Sequence, residues 1–116
     1  MNVFSNNSKF IDYPLIRREA ECKSGDELLS KNAKDVFACR TLCNDKAGCY
    51  FYIFGREGST KEGWCWWEKT EIPKTADENK ICSGKNEGWE NDDKYDFYQA
   101  LSMSITLKFY QNFHIF

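Results

Sequence analysis

Residues 48–69 read GCYFYIFGREGSTKEGWCWWEK, two aromatic runs that each contain a cysteine and are separated by a charged, glycine-rich connector. Aromatic and β-branched residues favour strands, and glycine, serine and charged residues favour the turn between them. The segment therefore predicts a β-hairpin with a long tip. Both faces of each predicted strand are apolar, which is more than a sheet with one buried face requires.

Six cysteines are the strongest compositional signal in this chain of 116 residues: Cys22, Cys39, Cys43, Cys49, Cys65 and Cys82. An even number in a small domain predicts disulfides, and hence an extracellular location or another oxidising compartment of the secretory pathway or an organelle lumen. Sequence alone leaves the pairing open. A zinc site is disfavoured because there is no C-x-x-C pair and the only histidine, His114, lies in the C-terminal tail.

The overall composition predicts one soluble globular domain with tails. Charged residues make up 29% of the chain, but the net charge is −2, so there is no basic surface for nucleic acid. No apolar run approaches the roughly 18 residues of a transmembrane segment. Residues 1–21 lack a basic start followed by an apolar block, so no signal peptide is visible in this chain.

One helix is predicted, at residues 33–45, with Asn32 as its N-cap and Asp35 three residues later. Val36, Cys39 and Cys43 recur at intervals of three and four, so they lie on one face. Both cysteines can therefore attach the helix to the structure that it covers.

The helix is expected to cover a sheet. Besides the hairpin, strands are predicted at residues 94–100 and, shorter, at 19–22, whereas residues 70–93 are typical of a loop pinned by Cys82. Strict alternation places Phe51 and Ile53 on the face of Cys49. If the helical cysteines bond to the hairpin cysteines, this face, together with Trp67, forms the core beneath the helix. The opposite face is then either a second core layer or a binding surface.

The order of these features resembles the PAN/Apple domain family over residues 20–101. A helical C-x-x-x-C is followed six residues later by a cysteine at a strand start, then by the hairpin with a cysteine in each strand, a late cysteine and the closing YDFY. The resemblance implies an α+β fold, in which a small antiparallel β-sheet is crossed by one α-helix and stapled by disulfides. It also implies the pairs Cys22–Cys82, Cys39–Cys65 and Cys43–Cys49.

Members of this family are mostly adhesion and recognition modules, so the resemblance favours binding over catalysis. We expect no enzyme and no cofactor, because a hydrolytic nucleophile needs a nearby base and the only histidine lies in the tail. The expected ligand is a protein or a carbohydrate, bound by the outer aromatic face and the charged hairpin tip. The predicted ligand-binding residues are Tyr50, Tyr52, Phe54, Arg56, Lys61, Trp64 and Trp66.

Acidic residues concentrate near the end of the predicted loop: Glu87, Glu90, Asp92, Asp93 and Asp96. Carboxylates can bind Ca²⁺, but this spacing fits no EF-hand loop. A solvated acidic turn is therefore expected, and no metal site is predicted.

The C-terminal tail alternates apolar and polar residues, which predicts a half-buried strand. It is expected to dock on a partner, with folding back over the aromatic face or a disordered tail as alternatives. The chain is thus divided into an extension (1–19), a domain (20–101) and a tail (102–116). A second functional hypothesis is a structural accessory subunit docked by both tails into a larger assembly. Asn6 begins a glycosylation sequon, and the docking positions are Leu101, Met103, Ile105, Leu107 and Phe109.

Overall fold

The computed structural model describes residues 14–73 and 78–100. It confirms the predicted α+β class, with antiparallel sheets crossed by one helix within those ranges. The elements are β1 (Leu15–Arg17), β2 (Ala20–Cys22), β3 (Asp26–Ser30), α1 (Val36–Asn44), β4 (Phe51–Gly55), β5 (Cys65–Glu68), a 3₁₀ turn (Glu78–Lys80), β6 (Trp89–Asn91) and β7 (Tyr95–Gln99). A five-stranded sheet has the order β1-β7-β4-β5-β3, and β2 and β6 form a separate two-stranded sheet.

Three disulfides attach the helix and a loop to the sheets, and they are the pairs that the resemblance implies. Cys39–Cys65 joins α1 to β5, Cys43–Cys49 joins it to the turn before β4, and Cys22–Cys82 joins β2 to the loop before β6. Three disulfides in so small a domain indicate an oxidising compartment. No helix in the described ranges has the length and apolarity that a membrane span requires.

The helix begins later than predicted because Asp35, and not Asn32, is its N-cap. The Asp35 backbone is extended (φ −159°, ψ 179°), and its carboxylate accepts a hydrogen bond of 2.9 Å from the Ala38 amide. The Asn32 amide instead donates to the Ser30 hydroxyl in the preceding turn. Both residue types are good caps and the apolar spacing fits either start, so the sequence pattern does not separate them.

The two faces of β4 are exchanged relative to the prediction. Phe51 and Ile53 pack on the side of the Cys22–Cys82 disulfide, whereas Tyr52 and Phe54 lie beneath α1. Trp67 lies beneath α1 as predicted, because it is the cross-strand partner of Tyr52. The predicted core face beneath the helix was therefore wrong for β4 and right for β5.

The cause of the exchange is a turn immediately before β4. Gly48 has a positive φ of 87°, and the Cys49 amide donates to the Lys46 carbonyl. Cys49 packs with the helix-side cluster, while Tyr50 and Phe51 both pack with the opposite cluster. Strict alternation therefore begins only at Phe51, two residues later than predicted, and the faces of β4 are inverted.

Both faces of the sheet are covered, which explains why the hairpin is apolar on both sides. Beneath α1, Tyr52 is fully buried among the two helix-attached disulfides. On the other face, Phe51, Ile53 and Phe97 are at most 1% exposed and pack against the Cys22–Cys82 disulfide. The face of the sheet away from α1 is thus largely a second core layer.

Three strands were not predicted. β1 lies within the residues assigned to the N-terminal extension and pairs with β7 at the sheet edge. β6 lies within the predicted loop and pairs with β2, and β3 forms the other edge beside β5. β1 and β6 contain only three residues each, which is too short for an alternating pattern, so tertiary pairing decides them.

Candidate functional site

A cleft of about 810 Å³ opens between the loop before α1, the end of β4 and β7. Its volume is in the range of small-ligand sites, roughly 300–1,000 Å³. Four cationic and four acidic side chains line it, so the two signs balance and a polyanion is not favoured. These residues are Arg18, Lys31, Lys34 and Arg56, and Asp35, Glu57, Glu62 and Asp96.

Arg56 is fixed in the cleft wall by Asp96. The Arg56 Nε lies 3.2 Å from Asp96 Oδ1, and Nη1 donates to the Asp93 carbonyl at 3.1 Å. The Glu19 amide donates to the same Asp96 oxygen at 2.8 Å. By contrast, the Arg18 side chain is 68% exposed, and its Nη1 lies as far as 4.0 Å from Asp96 Oδ2. The Arg18 guanidinium is therefore held more weakly and can reach a ligand.

Two aromatic residues, Phe54 and Tyr98, give the cleft an apolar surface. The Tyr98 ring stacks on the buried Tyr52 ring, with centroids 5.2 Å apart and planes within 7°. Burial, together with the nearby Asp96 charge, raises the pKa of Tyr98 above its ordinary value, so its hydroxyl stays protonated at neutral pH. The cleft therefore combines a rigid ring with polar walls.

The predicted ligand-binding residues do not form one surface. Phe54 and Arg56 line the cleft, but Tyr52 has no exposed surface. Tyr50, Trp64 and Trp66 pack with the opposite core cluster, and Lys61 lies over the Trp64 ring. The prediction that these residues share one aromatic face was wrong, because the turn before β4 shifts the alternation of its side chains by one residue.

Several cleft residues were missed by the sequence analysis, chiefly Arg18, Lys31, Lys34 and Tyr98. They come from three distant segments that only the folded sheet brings together. The sequence around Lys31 and Lys34 carried a helix-capping signal, which gave no indication of a cleft.

Trp64 and Trp66 form an aromatic cluster whose polar partners lie within the protein. The Trp64 ring has Lys61 Nζ at 4.0 Å and Lys31 Nζ at 4.9 Å from its centroid. It stacks on Trp66 at 6.0 Å, and the Trp66 indole N–H donates to the Tyr95 hydroxyl at 2.9 Å. These contacts hold the hairpin on β7 through Tyr95 and fix the Trp64 ring between Lys61 and Lys31.

A second polar site lies where the two sheets meet. Glu21 of β2, Asp26 of β3 and Glu68 of β5 each place one carboxylate oxygen within 4.8 Å of the other two. Glu68 is only 1% exposed. Its Oε1 accepts from the Ser24 hydroxyl at 3.0 Å, and its Oε2 has no hydrogen-bond partner among the described residues.

This acidic cluster perturbs the protonation of its own members. Burial raises the pKa of Glu68 to about 9, and the charges of Asp26 and Glu21 act in the same direction, while hydrogen bonds from the Ser24 hydroxyl and the Cys22 backbone amide oppose them. Burial and a hydrogen bond with Asp92 raise the pKa of Glu21 to about 8. The surroundings of Glu68 and Glu21 therefore favour the neutral carboxyl over the ionised carboxylate.

Three of the five acidic residues near the end of the predicted loop have polar or cationic partners. Glu87 accepts from the Thr70 hydroxyl at 2.7 Å, Asp92 pairs with Lys94 at 3.0 Å, and Asp96 pairs with Arg56. The cluster at the sheet junction was not predicted, because Glu68 is distant in sequence from Glu21 and Asp26.

Asn6, His114 and the alternating tail lie outside the described residues, so glycosylation and partner docking stay predictions. The docking positions concerned are Leu101, Met103, Ile105, Leu107 and Phe109.

Comparison with protein-family models, with curated proteins and with solved structures finds no match.

Proposed function

We propose that this chain is a non-catalytic recognition and adhesion module of the PAN/Apple type, acting in the extracellular space or the secretory pathway. Its ligand is a carbohydrate or a protein segment, bound in the cleft beside the start of α1. The observation that carries this proposal is the cleft itself, a concave site of about 810 Å³ with balanced charges and an aromatic surface.

The cleft chemistry suits a ligand rich in hydroxyl or amide groups. Arg18, Lys34 and Asn32 are exposed donors at its rim, and Tyr98 offers a ring supported from behind by Tyr52. Apolar faces of sugars and flat peptide groups pack on such rings, while the charged side chains orient the polar groups. The balanced charge supports a neutral ligand over a sulfated or phosphorylated polymer.

Two features support binding without catalysis. All six cysteines are oxidised, so none is available as a thiolate nucleophile. Two of the four acidic groups of the cleft have structural roles, since Asp96 holds Arg56 and Asp35 caps α1. These carboxylates are therefore poor candidates for an acid or a base.

The proposal is tested with a glycan array, followed by calorimetric titration of any glycan that binds. The double variant Arg18→Ala/Lys34→Ala removes two exposed cations from the cleft rim and is expected to weaken binding at least about tenfold. Lys85→Ala removes an exposed cation that does not line the cleft and should bind as the wild type does. Binding lost in a Trp64→Phe variant, but retained in the rim variant, would place the site on the opposite face and overturn the proposal.

The structural accessory subunit is a second candidate, and one observation favours it. The described chain begins and ends at the same end of the sheet, where the Gln99 amide donates to the Pro14 carbonyl and the Ala100 amide to the Tyr50 carbonyl. Pro14 and Ala100, the described residues next to the two flanking segments, therefore lie at the same end of the sheet, away from the hairpin tip. No saturable ligand, together with co-purification in a stable complex that truncation after Leu101 abolishes, would favour this candidate.

A further inference from the structure

We propose that Glu21, Asp26 and Glu68 form a Ca²⁺ site that joins the two-stranded sheet to the five-stranded sheet. This site is separate from the cleft and does not depend on the proposed function.

The first argument is that three carboxylates converge without a cationic partner. Within residues 14–73 and 78–100, none of the three has a lysine or arginine in ion-pair contact. The nearby lysines are used elsewhere, since Lys69 pairs with Glu27 and Lys94 pairs with Asp92. Among the described residues, the cluster therefore has no cationic side chain to neutralise the charge that its members carry when they are ionised.

The pairing of the strands makes this charge accumulation more unusual. Asp26 and Glu68 are direct cross-strand partners in the β3–β5 ladder. Like charges in this position destabilise an antiparallel pair. A divalent cation between the two carboxylates converts the repulsion into attraction.

The burial of Glu68 is the second, independent indication of a ligand. The side chain is 1% exposed, yet its Oε2 has no hydrogen-bond partner among the described residues. A buried carboxylate oxygen without a partner is strongly unfavourable. One carboxylate oxygen from each of Glu68, Glu21 and Asp26 lies within 4.8 Å of the other two, so one ion can contact all three side chains.

The donor set and its spacing favour Ca²⁺. All three ligands are hard carboxylate oxygens, and the six cysteines are held in disulfides. Ca²⁺ binds oxygens at about 2.3–2.6 Å, so two ligands on opposite sides of the ion are at most about 5 Å apart. Asp26 is exposed, which leaves room for waters to complete an irregular shell of the kind Ca²⁺ accepts and Mg²⁺ does not.

The ion would add a contact at the junction of β2, β3 and β5. Glu21 precedes the disulfide-bonded Cys22, and Lys69, next to Glu68, donates its amide to the Gly25 carbonyl at 2.8 Å. A cation here would hold the β2–β3 turn against β5 and thereby stabilise the whole domain.

The experiment uses the full chain with its disulfides intact. Calorimetric titration with CaCl₂ should show one saturable site, and 1 mM CaCl₂ should raise Tm relative to EDTA. Glu68→Gln keeps the side-chain shape and the acceptor for Ser24, and it is expected to abolish both responses. Asp26→Asn, at an exposed position, should weaken binding at least about tenfold. Glu71→Gln removes the same charge from an exposed residue outside the cluster and should leave both responses unchanged.

Failure of the wild type to bind Ca²⁺ would overturn the proposal. So would an unchanged Ca²⁺ response in Glu68→Gln and Asp26→Asn, with folding of each variant verified by circular dichroism. Equal binding of Mg²⁺ or Zn²⁺ would contradict the assignment to Ca²⁺.

Discussion

Replacing Glu68 with glutamine should stabilise the metal-free protein at neutral pH. The buried carboxyl lies beside Asp26 and Glu21, and its pKa is raised from an ordinary value of 4.5 to about 9. Between these two values the folded protein holds a proton that the unfolded chain has released. The stability of the wild type therefore falls as pH rises through this range, whereas glutamine is neutral in both states.

The size of the effect follows from the same two values. Each pH unit in this range corresponds to about 1.4 kcal/mol. The advantage of Glu68→Gln should be below about 1 kcal/mol at pH 5, about 3 kcal/mol at pH 7, and level off above pH 9. The glutamine oxygen can still accept from Ser24, and its amide can donate to the neighbouring carboxylates. Burial of the side chain is therefore similar in the two proteins.

The assay is equilibrium denaturation in urea at pH 5, 6, 7 and 8, with EDTA present and the disulfides intact. Glu71→Gln serves as the control, because it makes the same substitution at an exposed residue outside the cluster. The elevated pKa of Glu21 makes the free energy of unfolding depend on pH in both proteins. Only the difference in free energy of unfolding between wild type and variant therefore reports Glu68. A difference that does not grow with pH, or a variant less stable than the wild type at pH 8, would refute the reasoning.

Two further variants test the fold itself by denaturation under oxidising conditions. Gly55→Ala adds a Cβ that would overlap the backbone carbonyl of Lys61, so we expect a loss of about 3 kcal/mol, whereas Gly25→Ala, which meets no atom within 4 Å, should stay within about 0.5 kcal/mol. Equal effects of the two would contradict the close approach. Asp35→Ala removes the observed helix cap and should lower stability by about 1 kcal/mol, whereas Asn32→Ala should have little effect. A larger loss of stability in Asn32→Ala than in Asp35→Ala would support Asn32 as the cap.

The fold class could be predicted because its strongest determinants are local in the sequence. The spacing of Cys39 and Cys43 sets a helix face, and the two aromatic runs around the glycine-rich connector set a hairpin. The short strands β1 and β6 depend on partners distant in the chain, β7 and β2, and no local pattern marks them. Propensity is a weak guide at such lengths.

The binding face was predicted wrongly because the backbone turns immediately before β4. Alternation assigns every side chain of a strand from its first residue, so a turn at Gly48 and Cys49 inverts the whole assignment for β4. The composition CYFYIF could not reveal this, since it is apolar on both faces and fits either register. A strand with one polar face would have fixed the register from sequence.

The acidic cluster could not be predicted from the sequence, because only the folded sheets bring its members together. Glu21, Asp26 and Glu68 come from three strands, and each is unremarkable in its own segment. A fold that needed only stability would favour an apolar or amide side chain at position 68, because a buried carboxylate destabilises the domain near neutral pH. The penalty is offset if a cation occupies the junction, so the same burial that makes Glu68 unfavourable in the metal-free protein makes it a strong ligand. The stability of Glu68→Gln in EDTA and its loss of the Ca²⁺ response are therefore two consequences of one geometry.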